Sequence, residues 1–133
     1  MRTQRLNRFK KLRQDVHFAI DPAQPQCRYL IWPGDLPNQT IPIHRCLGVQ
    51  ISAGYIGNAP VWLERCDAEW ALAEKPNLAT KAFLSAAKDA LCFLHENNRY
   101  HGSVDALHLG IRRDGWPVWI GVGLTSGSID DDL

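Results

Sequence analysis

The sequence has no apolar run that approaches the roughly 20 residues needed to cross a bilayer as a helix. Its basic N-terminus, MRTQRLNRFKKLRQ, lacks the apolar segment of a secretory signal, so we expect a cytoplasmic protein. The cysteines lie far apart and form no Cys-x-x-Cys pair, which argues against a structural zinc knuckle. We therefore expect reduced and partly buried thiols at Cys27, Cys46, Cys66 and Cys92.

The charge is nearly balanced overall but is unevenly distributed along the chain. The 133 residues have a formal net charge of +1, with 45% hydrophobic and 22% charged residues, which is typical of one ordinary globular domain. Six of the first thirteen residues are Arg or Lys, whereas the chain ends in Asp130-Asp131-Asp132-Leu133. The spacing of Leu6, Phe9 and Leu12 predicts a helix over residues 3–14. Its basic face is either simply solvated or engages an acidic partner.

Short β-strands are predicted over much of the first half of the chain. Residues 16–20, 27–32, 45–52 and 61–65 have the composition of strands, and a turn is predicted around Gly54, Gly57 and Asn58. Five prolines between residues 22 and 42 exclude a long helix there.

One long helix and one hairpin are predicted in the second half. The helix spans residues 78–96, with Asn77 as its N-cap, and presents an alanine-rich stripe that lets a neighbouring element approach closely. The stripe consists of Ala79, Ala82, Phe83, Ala86, Ala87, Ala90, Leu91 and Leu94. Two short strands, 106–111 and 117–120, flank Asp114-Gly115, which is a strong hairpin signal. The predicted fold class is α+β: a small antiparallel sheet, one long helix and a C-terminal β-hairpin.

Residues 91–123 read LCFLHENNRYHGSVDALHLGIRRDGWPVWIGVG. The predicted helix closes with Leu94-His95, His101-Gly102-Ser103 lies in the next loop, and Gly121-Val122-Gly123 follows the hairpin. This layout resembles the catalytic region of protein kinases, where a helix ending in Leu-His precedes a His-Arg-Asp or His-Gly-Asp loop. In kinases a strand with a metal-binding Asn, a turn and a second strand then lead to Asp-Phe-Gly.

The resemblance extends upstream and covers residues 43–123. It implies a sheet strand near 43–49, a strand entering the hinge at 61–66 and a short helix after the hinge at 67–74. We accordingly predict three parts: a basic N-terminal helix over residues 1–15, a kinase-like α+β domain over residues 16–124 and an acidic tail over residues 125–133.

Each part that phosphoryl transfer requires in a kinase is replaced in this sequence. No GxGxxG is present, and Asp21 stands at the lysine position of Phe18-Ala19-Ile20-Asp21; the alternative strand, 27–32, has no lysine either. Ser103 occupies the place of the catalytic Asp, and Asp105 that of the loop lysine. His108 and Gly121 occupy the places of the Mg²⁺ ligands, which are oxygen donors in kinases. The resemblance thus implies a pseudokinase with no catalytic activity, no bound metal and no cofactor.

Other interpretations of the same residues remain open. His101 either organises its loop through backbone hydrogen bonds, as the matching kinase His does, or takes part in chemistry. Cys92, His95, His101 and His108 include metal-ligand types, although their spacing is unlike that of a helical His-x3-His pair. Ser103, His101 and Asp105 are the residue types of a hydrolase triad, but positions this close in sequence rarely allow the geometry.

The resemblance implies a non-catalytic protein-binding adaptor or regulatory subunit, for which a bacterial secretion or virulence system is one setting. Only ten residues follow Gly123, so the helical half of a kinase lobe has no counterpart, and an uncovered apolar face indicates a protein partner or a homodimer. The candidate contact residues are Trp116, Trp119, Arg112, Arg113, Arg5, Arg8 and Lys11. The alternative function is nucleic-acid binding through the basic N-terminal helix.

Overall fold

The computed structural model describes residues 2–5, 16–21 and 23–123, together with Asp132. Two antiparallel sheets and one α-helix account for the regular structure of this part of the chain, which confirms the α+β fold class. The larger sheet has the spatial order β1-β2-β3-β5-β4 and contains β1 Arg2–Arg5, β2 His17–Asp21, β3 Gln24–Pro33, β4 Val49–Ile56 and β5 Ala59–Arg65. The smaller sheet has the order β6-β7-β8 and contains β6 Ala68–Ala71, β7 Leu109–Arg112 and β8 Pro117–Trp119.

The inner face of the larger sheet follows the period-two alternation of its strands. Trp32 of β3 lies directly opposite Trp62 of β5, and both side chains are fully buried. Glu64, two residues after Trp62, therefore points to the same face and is also buried. The turn between β4 and β5 falls at Gly57 and Asn58, as predicted, and Gly57 has a φ of 60° that favours glycine.

The single helix, α1, spans Lys81–Glu96 and lies against the smaller sheet. Its buried side chains are Phe83, Ala87, Ala90 and Leu94, all from the predicted stripe. The small Ala87 permits close approach, and the Trp119 indole nitrogen of β8 donates a 2.9 Å hydrogen bond to the Ala87 carbonyl. The helix begins later than predicted, because Pro76–Leu78 forms a separate 3-10 turn.

The second sheet was not predicted as a sheet, because its first strand was assigned to a helix. The predicted helix over residues 67–74 is wrong: Ala68–Ala71 is strand β6, followed by a 3-10 turn at Leu72–Glu74. The strand forms because β7, some forty residues later in the sequence, supplies its hydrogen-bonding partners, as in the Ala71↔Gly110 pair. The hairpin of β7 and β8 is confirmed, and Gly115 in its turn has a φ of 88°.

The N-terminus also differs from its prediction. A helix over residues 3–14 is wrong for residues 3–5, because Arg2–Arg5 is a strand paired with His17–Asp21. The backbone groups of these residues find partners in the sheet, which outweighs the local helical spacing. Residues 6–15, including Arg8 and Lys11, and residues 124–131 lie outside the described residues.

Residues 34–48 connect β3 to β4 without any helix or strand. The strand predicted over 45–52 instead starts at Val49, and Leu47 makes only a single parallel bridge to Trp119. This connection lies between the two sheets and contributes Cys46 and Leu47 to the core beneath α1. No helix in the described part of the chain is long and apolar enough to span a membrane.

The start of α1 provides a direct test of the fold. The Thr80 hydroxyl accepts a 3.1 Å hydrogen bond from the Phe83 backbone nitrogen, which satisfies one of the free donors of the first turn. Thr80→Ala should therefore lower the free energy of unfolding by about 1 kcal/mol, measured by urea denaturation. The matched control is Asn77→Ala, which should change it by less than about 0.5 kcal/mol. A larger loss for Asn77→Ala than for Thr80→Ala would contradict the observed helix start.

Candidate functional site at the junction of the two sheets

Five aromatic rings form a continuous row that crosses from the larger sheet to the smaller one. Trp62 stacks on Trp32 with ring centroids 5.9 Å apart, and Trp32 stacks on His108 at 6.3 Å. His108 meets the edge of His101 at 5.9 Å, and His101 meets Trp119 at 5.3 Å. Both Trp62 and Trp32 are fully buried, although the Trp62 indole nitrogen has no hydrogen-bond partner among the described residues. The row fills the space between the sheets with side chains.

Glu64 lies beside this row and bonds to both sheets. Its Oε1 atom accepts hydrogen bonds from the Trp32 indole nitrogen at 3.0 Å and from the Gly121 backbone nitrogen at 2.9 Å. Oε2 lies 3.0 Å from the same Gly121 nitrogen. Burial raises the pKa of Glu64 to about 7, an effect that the hydrogen bonds from Gly121, Trp32 and Val122 partly oppose. The carboxyl group therefore acts as a link between β5, β3 and the segment after β8.

Glycines surround Glu64 because no side chain fits beside it. A Cβ atom at Gly48 would lie 2.7 Å from the Glu64 carboxyl carbon. A Cβ atom at Gly121 would lie 3.2 Å from the Trp32 ring, and Gly121 also has a φ of 67°. Gly121 stands where the resemblance places the metal-binding Asp of kinases. A carboxylate at that position would need Trp32 to move and a strained backbone to be tolerated.

His101 is fully buried and uses both ring nitrogens on the main chain. Nε2 lies 2.7 Å from the Ile120 carbonyl oxygen, and Nδ1 accepts a 3.0 Å hydrogen bond from the Ser103 backbone nitrogen. Since Nδ1 accepts, the proton of the neutral ring belongs on Nε2. Burial is the main cause that lowers the pKa of His101 to about 4. These contacts match the loop-organising role that was expected for His101.

Asp132 anchors the same loop from the other end of the chain. Its carboxylate accepts hydrogen bonds from the backbone nitrogens of His101 at 2.6 Å and Gly102 at 2.8 Å. The same group lies 2.9 Å from Nε2 of His95 near the end of α1. The Asp132 side chain is fully buried, and these hydrogen bonds replace the water that its carboxylate loses on burial. One residue of the acidic tail is thus part of the folded structure.

His108 and Asp105 form a local pair rather than a catalytic one. Asp105 Oδ1 accepts hydrogen bonds from the backbone nitrogens of Leu107 and His108, and it lies 2.8 Å from His108 Nδ1. Although burial raises the pKa of Asp105, the His108 contacts and the backbone donors lower it overall. Asp105 therefore faces His108 and not His101. The connectivity of a Ser103-His101-Asp105 triad is not formed.

The metal-ligand types singled out by the sequence are each engaged in other contacts or exposed. His95 bonds to Asp132, His101 to the main chain and His108 to Asp105, while Cys92 is exposed on α1. Within residues 2–5, 16–21, 23–123 and Asp132, no group of three or more His, Cys, Asp or Glu side chains is arranged to hold a metal ion.

The cysteines whose side chains are described are free thiols, as expected. Cys46 and Cys66 are buried, and Cys92 is exposed. Burial raises the pKa of Cys46, and burial together with the nearby Glu64 raises the pKa of Cys66 to about 12. Neither buried thiol is a nucleophile at neutral pH.

The predicted partner-binding residues separate into buried and exposed groups. Trp119 is only 4% exposed and is a core residue, so its prediction as a contact residue is wrong. Trp116 is 40% exposed and stacks under the Arg45 guanidinium, whose carbon lies 4.3 Å from the ring centroid. Arg113 is exposed in the hairpin turn, and Arg112 is half-buried, with hydrogen bonds to the Arg45 carbonyl and Asp67. Arg5 is in β1, and nothing further is described of its side chain.

Sequence reasoning missed Glu64 and Asp132, the two acids that organise the junction. Glu64 had a visible signal, because it occupies the same face as Trp62 in a predicted strand that is otherwise apolar on that face. An acid at an inward position indicates either a partner or a functional role. Asp132 had no such signal, since its partners are backbone groups of residues 101 and 102.

The comparisons with known proteins agree with this architecture. No protein-family profile and no curated protein matches the chain. Among solved structures, the crystal structure of monomeric WbdD matches with a TM-score of 0.58 and 8% identity. The match covers 92% of this chain but only 36% of WbdD, a protein that contains a kinase domain. At this identity the likeness shows the fold alone, and that fold is kinase-like, in line with the resemblance seen in the sequence.

Because it is buried, Glu64 should make the free energy of unfolding fall as pH rises from 4.5 to 7. In the unfolded chain Glu64 ionises near pH 4.5, whereas in the folded protein it stays protonated up to about pH 7. The folded state thus holds the extra proton, so this group destabilises the fold by about 3 kcal/mol as pH rises from 4.5 to 7. His101 has the opposite effect, since its lowered pKa of about 4 makes stability rise with pH up to about 6.5.

The Glu64→Gln variant separates the contribution of Glu64 to the pH dependence of stability from that of His101. The free energy of unfolding of this variant should rise relative to wild type by about 3 kcal/mol between pH 4.5 and pH 7, measured by chemical denaturation. The exposed Glu96→Gln at the end of α1 is the matched control and should parallel wild type. If Glu64→Gln also parallels wild type, Glu64 ionises in the fold as it does in the unfolded chain.

Proposed function

We propose that this chain is a non-catalytic protein-binding module, an adaptor or regulatory subunit built on a kinase-like scaffold. The observation that carries the proposal is the closed junction between the sheets. Trp32, Trp62, Glu64 and His101 are each fully buried there, beside His108 and Gly121, the positions that the resemblance assigns to the metal ligands. Because side chains of the described residues occupy this junction, the scaffold would act through its outer surface.

The residues at the junction also lack the chemistry of phosphoryl transfer. That reaction needs carboxylate or amide oxygens that hold Mg²⁺ beside the phosphates. Gly121 offers no side chain, and His108 is committed to Asp105. Glu64 contacts the Gly121 backbone, but both of its oxygens are hydrogen-bonded inside the protein. The proposal of an inactive module therefore has two grounds. The residues that would bind the metal are replaced, and the polar side chains near those positions are already hydrogen-bonded within the protein.

The outer surface carries features of a protein contact. Ile43 is 83% exposed and Trp116 is 40% exposed, and the exposed Arg45 lies next to both. Arginine and tryptophan beside an exposed aliphatic residue are typical of protein interfaces. The alternative of nucleic-acid binding relied on a basic N-terminal helix, and the first described residues of that segment, Arg2–Arg5, form a strand instead.

Cellular setting is part of the same proposal. The free thiols of Cys46, Cys66 and Cys92 fit a reducing cytoplasm, where disulfides are rare. Participation in a bacterial secretion or virulence system remains a prediction from the size and degeneracy of the sequence.

Nucleotide binding provides the first test. Thermal unfolding should occur at the same temperature with and without about 1 mM ATP and Mg²⁺. A dissociation constant of about 0.1 mM would stabilise the fold by about 1.4 kcal/mol, which corresponds to a shift of a few degrees. ATP with EDTA serves as the control for ionic effects. A Mg²⁺-dependent rise in melting temperature would contradict a filled junction.

Partner capture provides the second test. The tagged chain should retain a specific protein from extract of its native cell, and that protein, once purified, should bind directly without nucleotide. The complex should survive nuclease treatment, because nucleic acid is not expected to bridge it. A complex that disappears on nuclease treatment would favour nucleic-acid binding, and the absence of any retained protein would overturn the adaptor proposal.

A further inference from the structure

A surface groove lies beside the junction, between the connection that precedes β4 and the end of β5. It has a volume of about 360 Å³, near the lower end of the range for ligand-binding pockets, about 300–1,000 Å³. The residues that define it here are Ile43, Arg45, Val49, Arg65, Asp67 and Arg112. We refer to it as the Arg45 groove.

Part of the groove is lined by apolar side chains, one of which is exposed to water. Ile43 is 83% exposed, which is far more than packing requires of a β-branched residue. Leu47 and Val118 line the same groove and are buried, so the exposed Ile43 continues an apolar floor. An apolar strip of this kind is suited to bind one or two aliphatic or aromatic side chains.

The charge of the groove is positive. Arg45, Arg65 and Arg112 line it, against one acid, Asp67, which lies 3.3 Å from Arg112. Arg65 and Arg45 are exposed, and neither has an ion pair among the described residues. Burial, with a smaller effect of Arg45, lowers the pKa of His44, so the neighbouring imidazole is neutral at pH 7. Arg45 and Arg65 thus have no ion-pair partner within the part of the chain that the structure describes.

Two of the three arginines, Arg45 and Arg112, are held in place before any ligand arrives. Arg45 stacks on the Trp116 ring at 4.3 Å, and its carbonyl oxygen accepts a 2.8 Å hydrogen bond from the Arg112 guanidinium. Arg112 also reaches Asp67. Side chains that are already ordered lose less entropy on binding, so this arrangement favours recognition over nonspecific attraction.

We infer that the Arg45 groove binds an acidic peptide segment of a partner protein, with an apolar side chain packed on Ile43 and flanking carboxylates facing Arg45 and Arg65. The inference rests on the proposed protein-binding function and specifies the chemistry of the partner. Charge complementarity carries it, because three arginines and a single described acid line the groove around an exposed aliphatic residue. The acidic end of this chain has similar chemistry, but its Asp132 is already bound to the backbone nitrogens of His101 and Gly102.

The test uses synthetic peptides and matched variants. The probes are fluorescein-labelled peptides of about ten residues with a central Leu or Phe flanked by Asp and Glu, a set in which the acids are replaced by Asn and Gln, and a ten-nucleotide single-stranded RNA. The variants are Arg45→Glu/Arg65→Glu and Ile43→Asp. Their controls are Lys88→Glu and Leu84→Asp, which change an exposed cation and a 49% exposed aliphatic residue on α1. Far-ultraviolet circular dichroism and melting temperature establish that each variant is folded.

Fluorescence anisotropy should show that acidic peptides bind more tightly than their neutral counterparts, with an affinity that falls as salt is raised. Arg45→Glu/Arg65→Glu and Ile43→Asp should each weaken this binding by about tenfold or more, while both α1 controls bind as wild type does. Equal binding of acidic and neutral peptides, or no binding of either set, would overturn the inference. Binding of RNA but not of acidic peptides, lost in the arginine variant, would assign the groove to nucleic acid.

The captured partner separates this inference from the proposed function. If the partner binds the Arg45→Glu/Arg65→Glu and Ile43→Asp variants as tightly as wild type, the groove inference is wrong and the adaptor function stands. If wild type retains no partner at all, both are wrong. Loss of the partner in these variants, with binding kept in the two α1 controls, supports both.

Discussion

Glu64 connects the two sheets, and much of the structure depends on how its carboxyl group is held. It extends from β5 and accepts hydrogen bonds from Trp32 of β3 and from the backbone of Gly121, beyond β8. A buried acid is costly unless every oxygen has a partner, so its neighbours are constrained in turn. Gly48 and Gly121 leave room for the carboxyl group and the Trp32 ring, and the aromatic row continues the contact toward α1.

The same contacts involve positions that the resemblance assigns to catalysis. The positions that the resemblance assigns to the catalytic loop and the metal ligands serve structural roles. His101 organises its loop, His108 pairs with Asp105, and the Gly121 backbone nitrogen donates a hydrogen bond to Glu64. Each of these three residues contacts another residue of the chain. On the exterior, Ile43 and Trp116 are exposed, and Arg45 stacks on the Trp116 ring.

Local patterns predicted the elements whose hydrogen bonds and packing are also local. The 3.6-residue spacing of Phe83, Ala87, Ala90 and Leu94 located α1, and Asp114-Gly115 located the last hairpin. The errors fall where a distant partner decides. Residues 68–71 became a strand because β7 lies beside them, and residues 2–5 because β2 does. The same applies to the site, where Trp116 and Trp119 looked alike in sequence but only Trp119 meets Ala87 and the core.

The amino-acid sequence by itself determined which side chains occupy the kinase-like positions, the α+β class, and the helix and hairpin that frame the loop at His101. These follow from residue identity and short-range periodicity. Only the tertiary structure decided that the junction is filled, that Glu64 and Asp132 hold it together, and that three arginines gather around Ile43. The physical reason is that burial, hydrogen-bond satisfaction and local charge depend on residues thirty or more positions apart, and no local pattern encodes those encounters.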